Sequence, residues 1–194
     1  MNRILWRSIW SMSESKKEFR KRVRQMPHTA DDRALCCYLL SSEWFLQAHS
    51  VMAYAAIPPE ADLGPVLEEI LKRGKTLLLP RCSPDGTMTA RRIRDLLELR
   101  PGAYGIPEPG ANTPIVPAEE IDLILVPGLA FDRRGGRMGR GKGYYDRFLS
   151  GYTGKTLGIC GVLMSEIPTE PHDRRMDAVA TEHGIIFCEM EGEA

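Results

Sequence analysis

Net charge is the first thing this 194-residue sequence lacks: 26 Lys and Arg stand against 26 Asp and Glu. A chain without an overall basic field has nothing to draw in a long nucleic acid, so that class of partner is set aside. Cysteine is present but without pattern. Cys36, Cys37, Cys82, Cys160 and Cys188 form no CxxC pair and no Cys/His zinc spacing, so reduced, buried thiols in a cytoplasmic protein are expected. No apolar run nears the ~18 residues of a membrane span, which sets aside a membrane partner. No internal repeat is visible. No Ser/His/Asp or Cys/His arrangement marks an enzyme built on a protein nucleophile.

What remains is ordinary globular composition, 43% hydrophobic and 27% charged, in a length that fits one domain with a sizeable core. Residues 1–12, "MNRILWRSIWSM", are basic and aromatic with no acid. They read as an N-terminal extension, either a disordered tail or the stretch before a start at Met12, ahead of a single domain over 13–194. Ser13 is expected to cap a first helix reaching Met26, with Phe19, Val23 and Met26 on its core face. Lys16, Arg20 and Arg24 follow at i, i+4 and i+8 as a cationic stripe. A second helix, capped by Thr29, carries Leu35, Tyr38, Leu39, Trp44, Phe45 and Leu46 as one well-buried element.

Strands are expected at Val51–Ala56, Lys75–Pro80, "GTMTARRI", Ile121–Phe131 and Lys155–Val162. A helix from Pro65 to Arg73, with Gly74 just past its end, separates the first two. The segment "RPGAYGIPEPGANTPIVP", dense in Pro and Gly, reads as an ordered surface loop. "AVAT" and "GIIFC" close the chain. Strands alternating with helices argue for a mostly parallel sheet covered on both faces, with ligands outside the carboxyl ends of the strands.

The most informative stretch lies at that edge. "RRGGRMGRGKGYYDRFL", Arg133–Leu149, holds five glycines and six cations against one acid, with Asp132 just before it. Glycine lets the backbone approach a ligand closely, and successive amides in such a loop converge on an anion. "GRMGRGK", Gly136–Lys142, satisfies the start of a Walker A pattern, yet Gly143 stands where Ser or Thr would hold magnesium. A magnesium–nucleotide complex here needs an oxygen ligand from elsewhere, and Asp146 is the nearest.

The span "DLILVPGLAFDRRGGRMGRGKGYYDRFL", Asp122–Leu149, resembles the 5-formyltetrahydrofolate cyclo-ligase family, also called methenyltetrahydrofolate synthetases. Supporting stretches run in the same order: "KKEFR" (Lys16–Arg20), Glu60 in "PPEAD", "GIPEP" (Gly105–Pro109) and "IPTEPHDRRMDAVATE" (Ile167–Glu182). Together they span about residues 13 to 187; the first dozen residues have no counterpart. The resemblance implies an α/β fold of three layers, α/β/α, with a mostly parallel sheet, similar to sugar-phosphate isomerases and CoA transferases. It also implies ATP-dependent closure of 5-formyltetrahydrofolate to 5,10-methenyltetrahydrofolate, with ADP and phosphate released and magnesium required.

The site residues follow from the same resemblance. Arg140 and Lys142 are the expected catalytic pair. ATP is expected on Lys16, Lys17, Arg20, Arg137, Met138, Gly139, Arg140, Gly141, Lys142, Gly143, Tyr144 and Tyr145. The folate is expected on Ala55, Glu60, Tyr104, Arg140, Gly141, Lys142, Gly143 and Tyr144, and magnesium on Asp146 and Asp173. Tyr104 stands where some members carry a tryptophan. His172 is read as a bystander. A cytoplasmic monomer acting on small molecules is implied. A sugar-phosphate isomerase and a nucleotide- or RNA-binding module are the alternatives, separated by ATP consumption tied to folate and by salt-dependent oligonucleotide binding.

Overall fold

The computed structural model describes residues 14–27, 30–102, 105–170 and 172–188. The first helix, α1 (Lys16–Arg24), begins at Ser15. Its hydroxyl accepts from the Glu18 amide at 3.3 Å, while the Glu18 carboxylate accepts from the Ser15 amide at 2.9 Å. This reciprocal box places the cap at Ser15, because Ser15 has an acid three residues on. The cap expected at Ser13 lies outside the described residues, as does Thr29. The second helix, α2 (Asp32–Ser41), is capped instead by Asp31, which accepts from the amides of Arg33 and Ala34.

The single long element expected next is two helices. Ser42 breaks it, donating to the Leu39 carbonyl at 2.7 Å and accepting from the Phe45 amide at 3.2 Å to cap α3 (Glu43–Gln47). The resulting turn leaves Tyr38 46% and Leu46 53% exposed, whereas Leu35, Leu39 and Phe45 are fully buried. Then come β1 (Ser50–Met52), α4 (Gly64–Lys72), β2 (Thr76–Cys82) and β3 (Met88–Ile93). The Pro/Gly-rich segment is more than loop. It forms a small antiparallel pair, β4 (Arg100–Pro101) with β5 (Pro107–Glu108), and supplies an edge strand, β6 (Ile115–Val116).

The expected strand Ile121–Phe131 divides into β7 (Leu123–Pro127) and β8 (Ala130–Asp132), followed by β9 (Arg137–Met138) and α5 (Tyr144–Phe148). The chain finishes with β10 (Lys155–Ile159), β11 (Leu163–Met164), β12 (Ala178–Thr181) and β13 (Gly184–Phe187). Eight strands form the main sheet in the order β13-β12-β10-β7-β1-β2-β3-β6. The five central strands are parallel and the outer ones antiparallel.

Period-two alternation explains why the central strands read as continuous apolar runs. Leu123, Leu125, Leu157 and Ile159 face the helices α2–α4, while Ile124, Val126, Met52 and Leu78 face the other side. That second side is covered by α5 and by Phe131 of a three-stranded sheet, β11-β8-β9, on whose outer surface Phe19 and Val23 of α1 pack. Gly158 makes room there, since a Cβ would lie 2.4 Å from the Phe131 ring. Among the described residues no helix is long and apolar enough to cross a membrane.

Candidate active site

Leaving β7, the chain turns through β8 and back along β9, and Asp132 holds that turn. Its Oδ1 accepts from the amides of Gly136 (2.8 Å) and Arg134 (2.9 Å), and its Oδ2 from the Ile167 amide (2.8 Å). Three backbone donors on one buried carboxylate make the first half of the glycine-rich stretch a rigid hairpin. Gly135 sits at its tip with φ +78°, pressed so close to the Met176 carbonyl that a Cβ would fall 2.3 Å from that oxygen. The ligand-facing part is therefore the second half, Gly139–Gly143, which leads into α5.

The second half is held from outside. Arg20 donates through Nε to the Gly139 carbonyl (3.0 Å), and Arg24 through Nη2 to the Arg140 carbonyl (3.2 Å). Gly141 has φ +94°, and a Cβ there would lie 2.9 Å from the Arg20 guanidinium carbon. The cationic stripe of α1 thus shapes the loop as well as charging it. From the far side, Arg147 donates to the carbonyls of Gly86 (2.7 Å) and Lys142 (2.9 Å), and the Tyr144 hydroxyl donates to the Ser83 carbonyl (3.2 Å). These bonds tie the loop to the turn between β2 and β3.

Inside the loop is a cavity of about 380 Å³ at the carboxyl ends of β1, β2 and β7. Of the residues expected to bind ligands, Lys16, Arg20, Ala55, Glu60, Met138, Tyr144, Tyr145, Asp146 and Asp173 line it, together with all of residues 137–143. Lys17 does not. It is exposed on α1 and absent from the lining, because a residue one position from Lys16 is turned about 100° around the helix. Tyr104 lies outside the described residues. His172 is not in the lining and is exposed, beside Glu170 at 3.2 Å.

The charged groups are paired across long sequence separations. Arg140 donates through Nε to Glu60 Oε1 (2.8 Å) and through Nη2 to the carbonyls of Ile57 (2.8 Å) and Pro58 (3.1 Å). Arg137, its side chain only 7% exposed, donates through Nη2 to Asp146 Oδ1 (2.8 Å), with its guanidinium 5.6 Å from the Tyr145 ring centroid. Lys16 pairs with Asp173 (2.5 Å) and Glu170 (3.2 Å). Burial raises the Asp173 pKa, but the bonds from Lys16 and the Glu170 amide outweigh it and hold the carboxyl below its ordinary range. The Lys142 ammonium, at the lip, has no partner among the described residues. Two further donors are buried in the lining without one: Tyr145 hydroxyl and Arg137 Nε. Burial chiefly pushes the tyrosine's pKa far up, so it remains a neutral donor.

These features suit a ligand that is anionic at one end. Six cations and four acids line the cavity, and the three unpartnered donors all sit on the glycine-loop side. Asp146 and Asp173 carry hard oxygen donors into the same space, the type of ligand magnesium takes alongside phosphate oxygens. The sequence reading missed Arg24, Tyr54, Cys82, Met88 and Glu108 as lining residues. Arg24 was legible in the i, i+4, i+8 stripe, and Glu108 within "GIPEP"; the other three carry no local signal. The expectation of buried thiols holds for Cys36 and Cys160; Cys82 and Cys188 are half-buried, and Cys37 is exposed on the outer face of α2.

Comparison with other proteins gives the family. The model of the 5-formyltetrahydrofolate cyclo-ligase family matches residues 5–182, so the match begins inside the stretch expected to lack a counterpart. The 5-formyltetrahydrofolate cyclo-ligase of Mycolicibacterium smegmatis is 36% identical over 155 residues, covering 73% of this chain and 78% of the relative. The mitochondrial 5-formyltetrahydrofolate cyclo-ligase of Arabidopsis thaliana is 31% identical over 188 residues, covering 81% and 68%. The NMR structure of Aquifex aeolicus 5,10-methenyltetrahydrofolate synthetase superposes with a TM-score of 0.79 at 31% identity, covering 92% of this chain and 95% of that one. With the match running over nearly the whole chain, and with the glycine loop, its cationic helix and their cavity in place, this chain belongs to the 5-formyltetrahydrofolate cyclo-ligase family.

Proposed function

We propose that the cavity closes 5-formyltetrahydrofolate to 5,10-methenyltetrahydrofolate at the expense of ATP, through phosphorylation of the formyl oxygen. A formamide carbonyl is a poor electrophile and its oxygen a poor leaving group. Attack of that oxygen on the γ-phosphorus expels ADP and leaves an O-phosphorylated iminium. Nitrogen 10 then adds to the formyl carbon, its proton is lost, and the C–O bond breaks to release phosphate. The protein's part is to align the oxygen with the phosphorus and to spread the transferring charge.

Lys142 and Arg140 take that charge: Lys142 from the lip with its ammonium uncommitted, Arg140 from a guanidinium oriented by Glu60. Lys16, Arg20 and the amides of Gly139, Gly141 and Gly143 surround the triphosphate, with Arg137 and Met138 behind them. Ala55, Glu60 and Tyr144 border the folate. Tyr145 offers its hydroxyl to an acceptor on either substrate. Asp146 and Asp173 hold magnesium, which when bound neutralises the phosphate oxygens. The reading takes the protein as a monomer in the cytoplasm with small molecules as its partners.

The observation that carries this reading is the uncommitted Lys142 at the mouth of a cavity whose other cations are already oriented. The test is to mix the protein with 5-formyltetrahydrofolate, magnesium and ATP and follow the near-ultraviolet absorbance of the methenyl product. Absorbance should grow only with all three present, with one phosphate released per product. Phosphate release without folate, or product without ATP, would overturn the reading.

A further inference from the structure

The cavity is not uniform. Its cations come from α1 and the glycine loop, whereas Pro80, Cys82, Met88, Ile106 and Pro107 make an apolar wall from β2, β3 and the start of β5. One charged side chain belongs to that wall. Glu108, in β5, is 5% exposed, and its carboxylate has no hydrogen-bond or ion-pair partner among the described residues. It lies over Gly102, where a Cβ would fall 2.5 Å from Oε2 and 2.6 Å from Cγ and Cδ; glycine there makes its room. The Cys82 thiol is pushed up to about 11, first by burial and then by the Glu108 charge, which sets the two on the same stretch of wall. Arg100, its partner in register on β4, donates instead to the carbonyls of Leu97 (2.7 Å) and Leu99 (2.9 Å), and Arg81 of β2 donates to the Pro109 carbonyl at 2.6 Å.

An ionised carboxylate accepts at both oxygens and donates from neither. The Glu108 oxygens keep an opening to the cavity and meet no donor among the described residues, so the wall calls for a ligand that brings donors. The other acid on the folate side, Glu60, is already occupied: Oε1 accepts from Arg140 and Oε2 from the Ile57 amide. The geometry points to Glu108 as the residue that reads the pterin end of the folate. Its two oxygens accept the parallel N–H bonds of the 2-amino group and ring N3, while the apolar wall covers the ring.

Charge and direction then sort two substrates that are each a flat heterocycle with an anionic tail. Adenine offers an amino group beside a ring acceptor, and a carboxylate aimed at that edge meets one donor and one lone pair, which disfavours it. Glu108 therefore keeps the nucleotide to the cationic end and the pterin to the apolar end. This inference rests on the cyclo-ligase reading.

The experiment compares 5-formyltetrahydrofolate with its analogue bearing methyl in place of the 2-amino group. Wild-type protein should use the analogue about 10- to 100-fold less efficiently in kcat/KM, the loss expected for hydrogen bonds to a charged group. Glu108→Gln should raise KM for 5-formyltetrahydrofolate by a similar factor, leave KM for ATP within about twofold, and discriminate between the two folates by less than about threefold. Equal use of both folates by the wild type overturns the assignment without recourse to any variant. So does a Glu108→Gln enzyme that loses ATP affinity as much as folate affinity, the mark of a merely structural residue. A wild-type protein that makes no methenyl product from 5-formyltetrahydrofolate fails earlier and overturns both readings.

Discussion

Lys142 differs from the five other cations of the cavity in having no partner for its charge among the described residues, and its mutation is the cleanest probe at the residue scale. Lys142→Ala should lower kcat by roughly 10²–10³, as loss of one electrostatic donor does, with little change in thermal stability. A steady-state assay beside a melting curve checks both halves. Arg140→Ala is a poorer probe, because it also leaves Glu60 buried without its cation. For the same reason Glu60→Gln, which sequence alone would assign to folate binding only, should weaken folate and nucleotide together, read by calorimetry with each ligand alone. Asp146→Asn should raise the magnesium concentration needed for half-maximal activity, measured by titrating the metal at saturating ATP. Superimposable titrations of variant and parent would remove Asp146 from the metal site.

At the scale of elements, α1 decides more than its nine residues suggest. It buries Phe19 and Val23 on the small sheet while its neighbouring face delivers Lys16, Arg20 and Arg24 to the loop and to Asp173. A helix this short gains little from intrinsic propensity, so capping and packing hold it. Ser15→Ala removes one half of the capping box and should cost about 1 kcal/mol. The expected signature is a drop in Tm accompanied by a rise in KM for ATP, because fraying of the first turn detaches Lys16 from Asp173. A Tm change with unaltered KM would show that the helix anchors the fold but not the loop. Elements also account for much of what the sequence left unread. The amphipathic stripe of α1 and the alternation of β7 are local periodicities. The break at Ser42, by contrast, depends on a side chain competing with the helix for backbone groups, and composition does not reveal who wins.

Across the whole molecule, burial divides the five cysteines in a way their spacing conceals. Cys36, Cys82 and Cys188 are pushed up to about 11 and Cys160 to about 12, chiefly by burial, whereas Cys37 is exposed. Since the thiolate is the reactive form, a disulfide reagent at neutral pH should titrate one thiol quickly in the native protein and all five after denaturation. More than one fast thiol would contradict the packing around β2 and β10. Saturating folate should slow Cys82 further, which ties the thiol titration to the cavity.

The sequence by itself determined the alternation of helix and strand, the position of the glycine loop after the central strand, and the family. Each of these rests on short-range pattern: period two, period three to four, and the density of glycine and charge. Tertiary structure alone decided which charges meet. Arg140 and Glu60 are 80 residues apart, and Arg20 reaches a carbonyl 119 residues away. Such pairings follow from strand order and sheet closure, which no local window contains. Among the described residues the same closure sets Glu108 in the cavity wall without a partner and leaves the Lys142 ammonium unpaired, so the division of the cavity into a cationic and an apolar end exists only in the folded chain.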